Sequence, residues 1–175
     1  MRTRARIAGH PIHPMLIAFP VAFYVSTVVT LFVFLATGDP FWFTVALYTN
    51  ISGVVMAAVA AAPGLVDLLS LEPRSRTRAV GVRHAGFNIL ALMLMAGSAG
   101  VLWSNTETRD VVAPLILSIL GVSSTAIAGW LGFTLVQTYH VGVHTIADEE
   151  TDVHAPNLDL PASYRETYSA PPNVH

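Results

Sequence analysis

Four long apolar runs alternate along this chain with short polar stretches: Pro14–Ala36, Phe41–Leu71, Ala85–Trp103 and Val111–Thr138. About 20 residues at ~1.5 Å rise cross a hydrocarbon core of roughly 30 Å, so each run predicts a transmembrane helix. The first run is longer than the apolar part of a signal peptide, lacks a small-x-small cleavage site, and is followed within a few residues by the second, so it is expected to remain in the mature protein. The connections Thr37–Pro40 and Ser104–Asp110 are short, which makes consecutive helices antiparallel neighbours. The predicted fold is therefore all-α, an integral membrane four-helix bundle running up-down-up-down. It is preceded by a basic arm (residues 1–13), occupies residues 14–138, and is followed by a tail (residues 139–175).

Charge orients the bundle. Cytoplasmic connections carry the excess of Lys and Arg. Arg2, Arg4 and Arg6 lie in the arm and Arg74, Arg76, Arg78 and Arg83 between the second and third runs, whereas the opposite connections offer Arg109 against Asp39, Glu107 and Asp110. Both termini are expected in the cytoplasm, with Trp42 and Trp103 at the outer interface, where indoles are enriched. Composition agrees: at 53% hydrophobic and 11% charged residues, a soluble domain of this size could not cover its surface with polar groups. The net charge of −2 hides an acidic tail (Asp148, Glu149, Glu150, Asp152, Asp159, Glu166) that also carries Pro156, Pro161, Pro171 and Pro172 and has no apolar periodicity. That tail is expected to be extended or disordered unless ordered against a partner. With no cysteine, disulfides, thiolate-bound clusters and covalent c-type haem are excluded. Any metal must be held by nitrogen and oxygen.

Candidate chemistry gathers at the arginine-bearing ends. In Gly9-His10-Pro11-Ile12-His13-Pro14, the prolines are expected to push both histidines out of helical conformation and Pro14 to open the first helix. Two imidazoles then stand in a constrained turn, either as metal ligands or as interfacial groups beside lipid headgroups. Asp67 is expensive in an apolar run and should face the bundle interior. It either pairs with Arg83 or His84 to lock two helices, or orients His84 as a ligand. His84 and Asn88 share a helical face, as do His140 and His144 if the last helix reaches them, although Gly142 weakens that continuation. Small residues (Ala57, Ala58, Ala60, Ala61, Ala62, Gly64, Gly97, Gly100, Gly121, Ala128, Gly129, Gly132) allow close helix approach or leave room for a flat macrocycle.

These motifs form a pattern. Gly9-His10-Pro11-Ile12-His13-Pro14-Met15-Leu16 leading to Phe19-Pro20, then Gly64-Leu65-Val66-Asp67, then Arg83-His84-Ala85-Gly86-Phe87-Asn88, resembles the DUF2231 family of bacterial predicted membrane proteins over roughly residues 7 to 138. The resemblance implies a four-span domain in a bacterial inner membrane. Some members join it to Rieske-type or cytochrome-like domains, which implies a respiratory or redox association. No family role is carried onto His140 or His144.

Two functions follow as expectations. One is a redox-associated membrane subunit that binds haem b through two of His13, His84 and His140, or a zinc, iron or copper ion through His10, His13, Asp67 and His84, with Asp67, Arg83 and Asn88 supporting the ligands. The other is a cofactor-free structural or assembly subunit, in which the same groups form an interhelical hydrogen-bond network. An electron-transfer or accessory role is favoured over an independent enzyme, because no nucleophile–base pair and no HExxH pattern is present. A transporter is disfavoured by the lack of a broken-helix repeat. The expected partners are the lipid bilayer and other membrane or redox subunits, with no nucleic acid.

Overall fold

The computed structural model describes residues 5–7 and 10–142. Residues 1–4, 8–9 and 143–175, which include His144 and the acidic part of the tail, lie outside them. The described chain opens with a two-residue antiparallel ladder, β1 (Arg6–Ile7) and β2 (His10–Pro11), which pairs Arg6 with Pro11 and Ile7 with His10. Five helices follow: α1 (Ile12–Leu16), α2 (Ala18–Thr37), α3 (Pro40–Ser70), α4 (Arg76–Ser104) and α5 (Val112–Gln137). Four of the resulting segments are long and apolar enough to cross a membrane, the first being α1 and α2 together, Ile12–Thr37. Large side chains such as Phe32, Met93, Trp130 and Phe133 face outward, as lipid contact requires and water would penalise.

Helix boundaries follow local chemistry. Asp39 caps α3 by accepting the Phe41 N–H at 2.9 Å, with Pro40 in the first position where a missing donor costs nothing. Gly38 ends α2 in a left-handed conformation (φ 67°), which permits the two-residue turn into α3. Ser75 caps α4 by accepting the Arg78 N–H at 3.1 Å.

Two expectations are corrected here. The third span begins at Arg76 rather than Ala85, because hydropathy registers only the apolar part of a helix whose first turns carry arginine. Arg76, Arg78 and Arg83 are thus helical residues. His13 lies inside α1 despite preceding Pro14, and Pro14 is not the first helical residue, since Pro11 occupies the cap. A backbone N–H is dispensable throughout the first turn, so Pro14, which has none, does not break so short a helix.

The helices run α2–α3–α4–α5 around the bundle, and the α2–α5 seam is the sparsest of the four. Near the short connections, Leu31, Phe43, Ala46, Leu47, Leu102 and Val111 form a dry core. At mid-bundle the interior turns polar: the Asn50 amide lies 3.0 Å from Ser98 Oγ, which reaches Ser118 Oγ at 2.9 Å and the Pro114 carbonyl at 3.0 Å. At ~1.5 Å per residue, the 31 residues of α3 and 29 of α4 exceed a hydrocarbon core by several turns. Asp67 and the α4 arginines belong to the overhanging ends.

The bundle is built from two copies of one helical hairpin. Buried Pro20, Tyr24, Thr27 and Leu31 of α2 recur at a constant offset as buried Ala91, Met95, Ser98 and Leu102 of α4. Buried Ala46, Asn50, Gly53 and Ala60 of α3 recur likewise as Pro114, Ser118, Gly121 and Ala128 of α5. The contacts repeat as well as the positions: a Cβ on Gly53 would strike the Tyr24 ring, and one on Gly121 would strike Met95. Because the spans alternate in direction, both copies start from the same face, so the repeat is parallel, with its axis along the membrane normal.

Candidate functional site

His13 and His84 are the same residue of the two copies, at the offset that relates Tyr24 to Met95. His13 enters from α1 and lies against α3, where its Nδ1 is 2.8 Å from the Ala60 carbonyl. His84, in the third turn of α4, lies against α5 with its Nδ1 2.8 Å from the Ala128 carbonyl. A carbonyl can only accept, so Nδ1 is the donor in both rings, an arrangement that in the neutral imidazole puts the lone pair on Nε2. Each imidazole is also seated on a glycine one turn beyond its acceptor. A Cβ on Gly64 would stand 2.8 Å from His13 Nδ1, and one on Gly132 would stand 3.0 Å from His84 Cε1. Any side chain there would displace the ring from its carbonyl.

The two seats face each other. The imidazole centroids are 6.1 Å apart with ring planes at 89°. His84 Nε2 has a further neighbour, Asn88 Nδ2 at 3.1 Å, and the same amide donates to the His84 carbonyl at 2.9 Å.

The other expected residues are placed differently. Asp67 Oδ1 accepts the Ala5 N–H at 3.0 Å and so ties the arm to the last turn of α3. His84 takes its ring partners from Ala128 and Asn88, because its ring turns toward α5, and not from Asp67. His10 is exposed in β2 and Arg83 is exposed on α4. Helix α5 stops at Gln137, short of His140, and His144 lies outside the described residues. His140 is exposed beyond that end in a left-handed conformation (φ 53°). Among the described residues, no group of three or more His, Cys, Asp or Glu side chains is placed so that it could hold a metal ion.

A family model for predicted membrane proteins, DUF2231, matches residues 9–145. The chain belongs to the DUF2231 family. No curated protein and no solved structure matches it. The DUF2231 match takes in both histidine seats, both seating glycines and the complete hairpin repeat. Sequence reasoning had flagged His13, His84, Gly64 and Gly132 separately. It missed Tyr24, Gly53, Asn50, Ser98 and Ser118, whose only signal is the repeat register, and that register is concealed by exchanges such as Tyr for Met and Asn for Ser.

Proposed function

We propose that this DUF2231 protein is a membrane subunit of an electron-transfer assembly and that His13 and His84 together ligate a metal centre, haem b being the group their donor set suits best. The observation that carries the reading is the facing pair of imidazoles, each pinned through Nδ1–H to a backbone carbonyl. Histidine ligands are held in this way, with the second nitrogen donating to a carbonyl so that the ligating one keeps its lone pair and orientation. A haem would ask two ligands of the protein, which His13 and His84 would supply, and that fits a pair better than a four-ligand zinc or iron site does. Bound there, haem would supply one-electron transfer. The chain's own part is to fix the imidazole tautomers, exclude a third protein ligand and hold the centre near the arginine-bearing face. In this proposal that face is the cytoplasmic side of a bacterial inner membrane, with both termini inside, and the electron donor and acceptor are separate subunits.

Visible spectra of the protein purified in mild detergent, oxidised and then dithionite-reduced, with metal analysis on the same sample, test the proposal. The expected result is a Soret band that sharpens with a resolved α band on reduction, and its loss in both His13→Ala and His84→Ala while the helical signal persists. Cofactor content that survives either substitution sinks the ligand assignment.

A second reading, a cofactor-free structural subunit, is favoured by Asn88, which already donates toward His84 Nε2. Under it, both histidine variants melt earlier, and neither wild type nor variant shows a chromophore or stoichiometric metal.

A further inference from the structure

The repeat that pairs His13 with His84 does not pair what stands beside them. One turn on from His84 is Asn88, and at the same offset in the first copy stands Ile17. Ile17 keeps helical geometry (φ −64°, ψ −21°) and its N–H donates to the His13 carbonyl at 3.2 Å, so it follows His13 as Asn88 follows His84. Both belong to the inward stripes of their helices, nearly two whole turns before buried Tyr24 and Met95. Yet both are exposed, Ile17 by 38%. The bundle interior is therefore open beside the imidazoles, with an aliphatic side chain on the His13 side and an amide on the His84 side.

That amide has one orientation. Its Nδ2 donates to the His84 carbonyl at 2.9 Å and stands 3.1 Å from His84 Nε2. Turned about, it would set Oδ1 against the carbonyl, two acceptors with no proton between them. An amide nitrogen only donates, so Nε2 meets a donor while Nδ1 gives its own proton to the Ala128 carbonyl. The Asn88 N–H thus sits on the lone pair that a metal would take from an imidazole held in this way. Ile17 has no donor to offer His13.

We infer that Asn88 is a placeholder for the metal centre, occupying the His84 Nε2 lone pair while the histidine pair is empty and giving it up when the pair is loaded. The inference rests on the reading of His13 and His84 as ligands. Loading exchanges a hydrogen bond for a coordinate bond at the same lone pair, and no proton moves. The exposed amide has space to turn into. Because the Ala128 carbonyl and Gly132 already orient the ring, the net effect of Asn88 on affinity is the bond that loading breaks. Asn88 is therefore a positioning residue that opposes binding, where a group supporting the ligand would favour it.

The test is titration of the full chain, freed of metal and haem, with hemin in nanodiscs of phosphatidylcholine, beside nitrogen-15 NMR of the histidine-labelled empty protein. Asn88→Ile, which gives the second copy the residue of the first, should bind hemin about fivefold more tightly, the worth of one neutral hydrogen bond. Ile17→Asn, which gives the first copy the residue of the second, should bind it about fivefold more weakly by the same reasoning. In the empty protein, Asn88→Ile should move the His84 Nε2 resonance toward that of a lone pair with no donor and leave Nδ1 in place. Equal or weaker binding by Asn88→Ile, equal or tighter binding by Ile17→Asn, or an unmoved Nε2 resonance overturns the placeholder and leaves histidine ligation standing. Hemin bound by neither wild type nor the two variants, or bound as well by His13→Ala and His84→Ala, overturns the ligation reading and the placeholder with it.

Discussion

Gly64 and Gly132 do as much to make the histidine pair as the histidines do. An imidazole reaches a main-chain carbonyl of a neighbouring helix only where that helix has no side chain in the way. Gly132→Ala puts a methyl 3.0 Å from His84 Cε1 and 3.3 Å from Nδ1. The ring must move off the Ala128 carbonyl, at an expected cost of about 1–3 kcal/mol. Gly86→Ala in α4, where nothing lies within 4 Å of the added Cβ, should cost nothing and gain slightly from helix propensity. Thermal melts of the two variants in one detergent check this, and equal melting temperatures would show that the seat is not tight. At this scale His13, His84 and Gly64 were legible in the sequence as chemistry out of place in an apolar run. Their acceptors were not, because a backbone carbonyl has no sequence signature.

At the scale of the element, the loop between α3 and α4 is held by chemistry that orientation rules overlook. Arg78 Nη1 donates to the Leu71 carbonyl at 3.0 Å and reaches the Leu68 carbonyl at 3.5 Å, so it closes the end of α3 while its own N–H is capped by Ser75. Arg78→Met keeps the aliphatic stem and removes these donors. It should destabilise by about 1 kcal/mol, as should Ser75→Ala, with both measured by denaturant titration of the helical signal. In the bundle interior, Asn50→Ala leaves Ser98 without its partner on α3. Its expected cost is about 1–2 kcal/mol, consistent with interhelical hydrogen bonds in membranes. A change within error at Asn50 would mean that the two serines satisfy each other without it.

At the scale of the whole molecule, two hairpins of one design meet across two unlike seams, and the histidine pair arises where equivalent residues of the two copies converge. Each copy lacks half of that pair. Separate chains ending and restarting in the Leu71–Ser75 connection, carrying α1–α3 and α4–α5, should therefore associate when co-expressed and co-purify in equal amounts. Failure to co-purify would show that the covalent connection, rather than complementarity of the copies, holds the bundle together.

The sequence by itself determined the four spans, their alternation and the concentration of histidine and arginine at one end, because hydropathy, chain length and proline or glycine punctuation act locally and leave local traces. It did not determine where α4 begins, since its first turns trade apolar residues for arginine without ceasing to be helix. Only the tertiary structure decided that His13 and His84 face each other while Asp67 takes the Ala5 N–H, and that Tyr24 lines one seam where Met95 closes the other. Those outcomes depend on helix rotation and close approach between residues far apart in the chain. Many different side chains satisfy the same packing, so the repeat persists in shape after it has faded from the sequence.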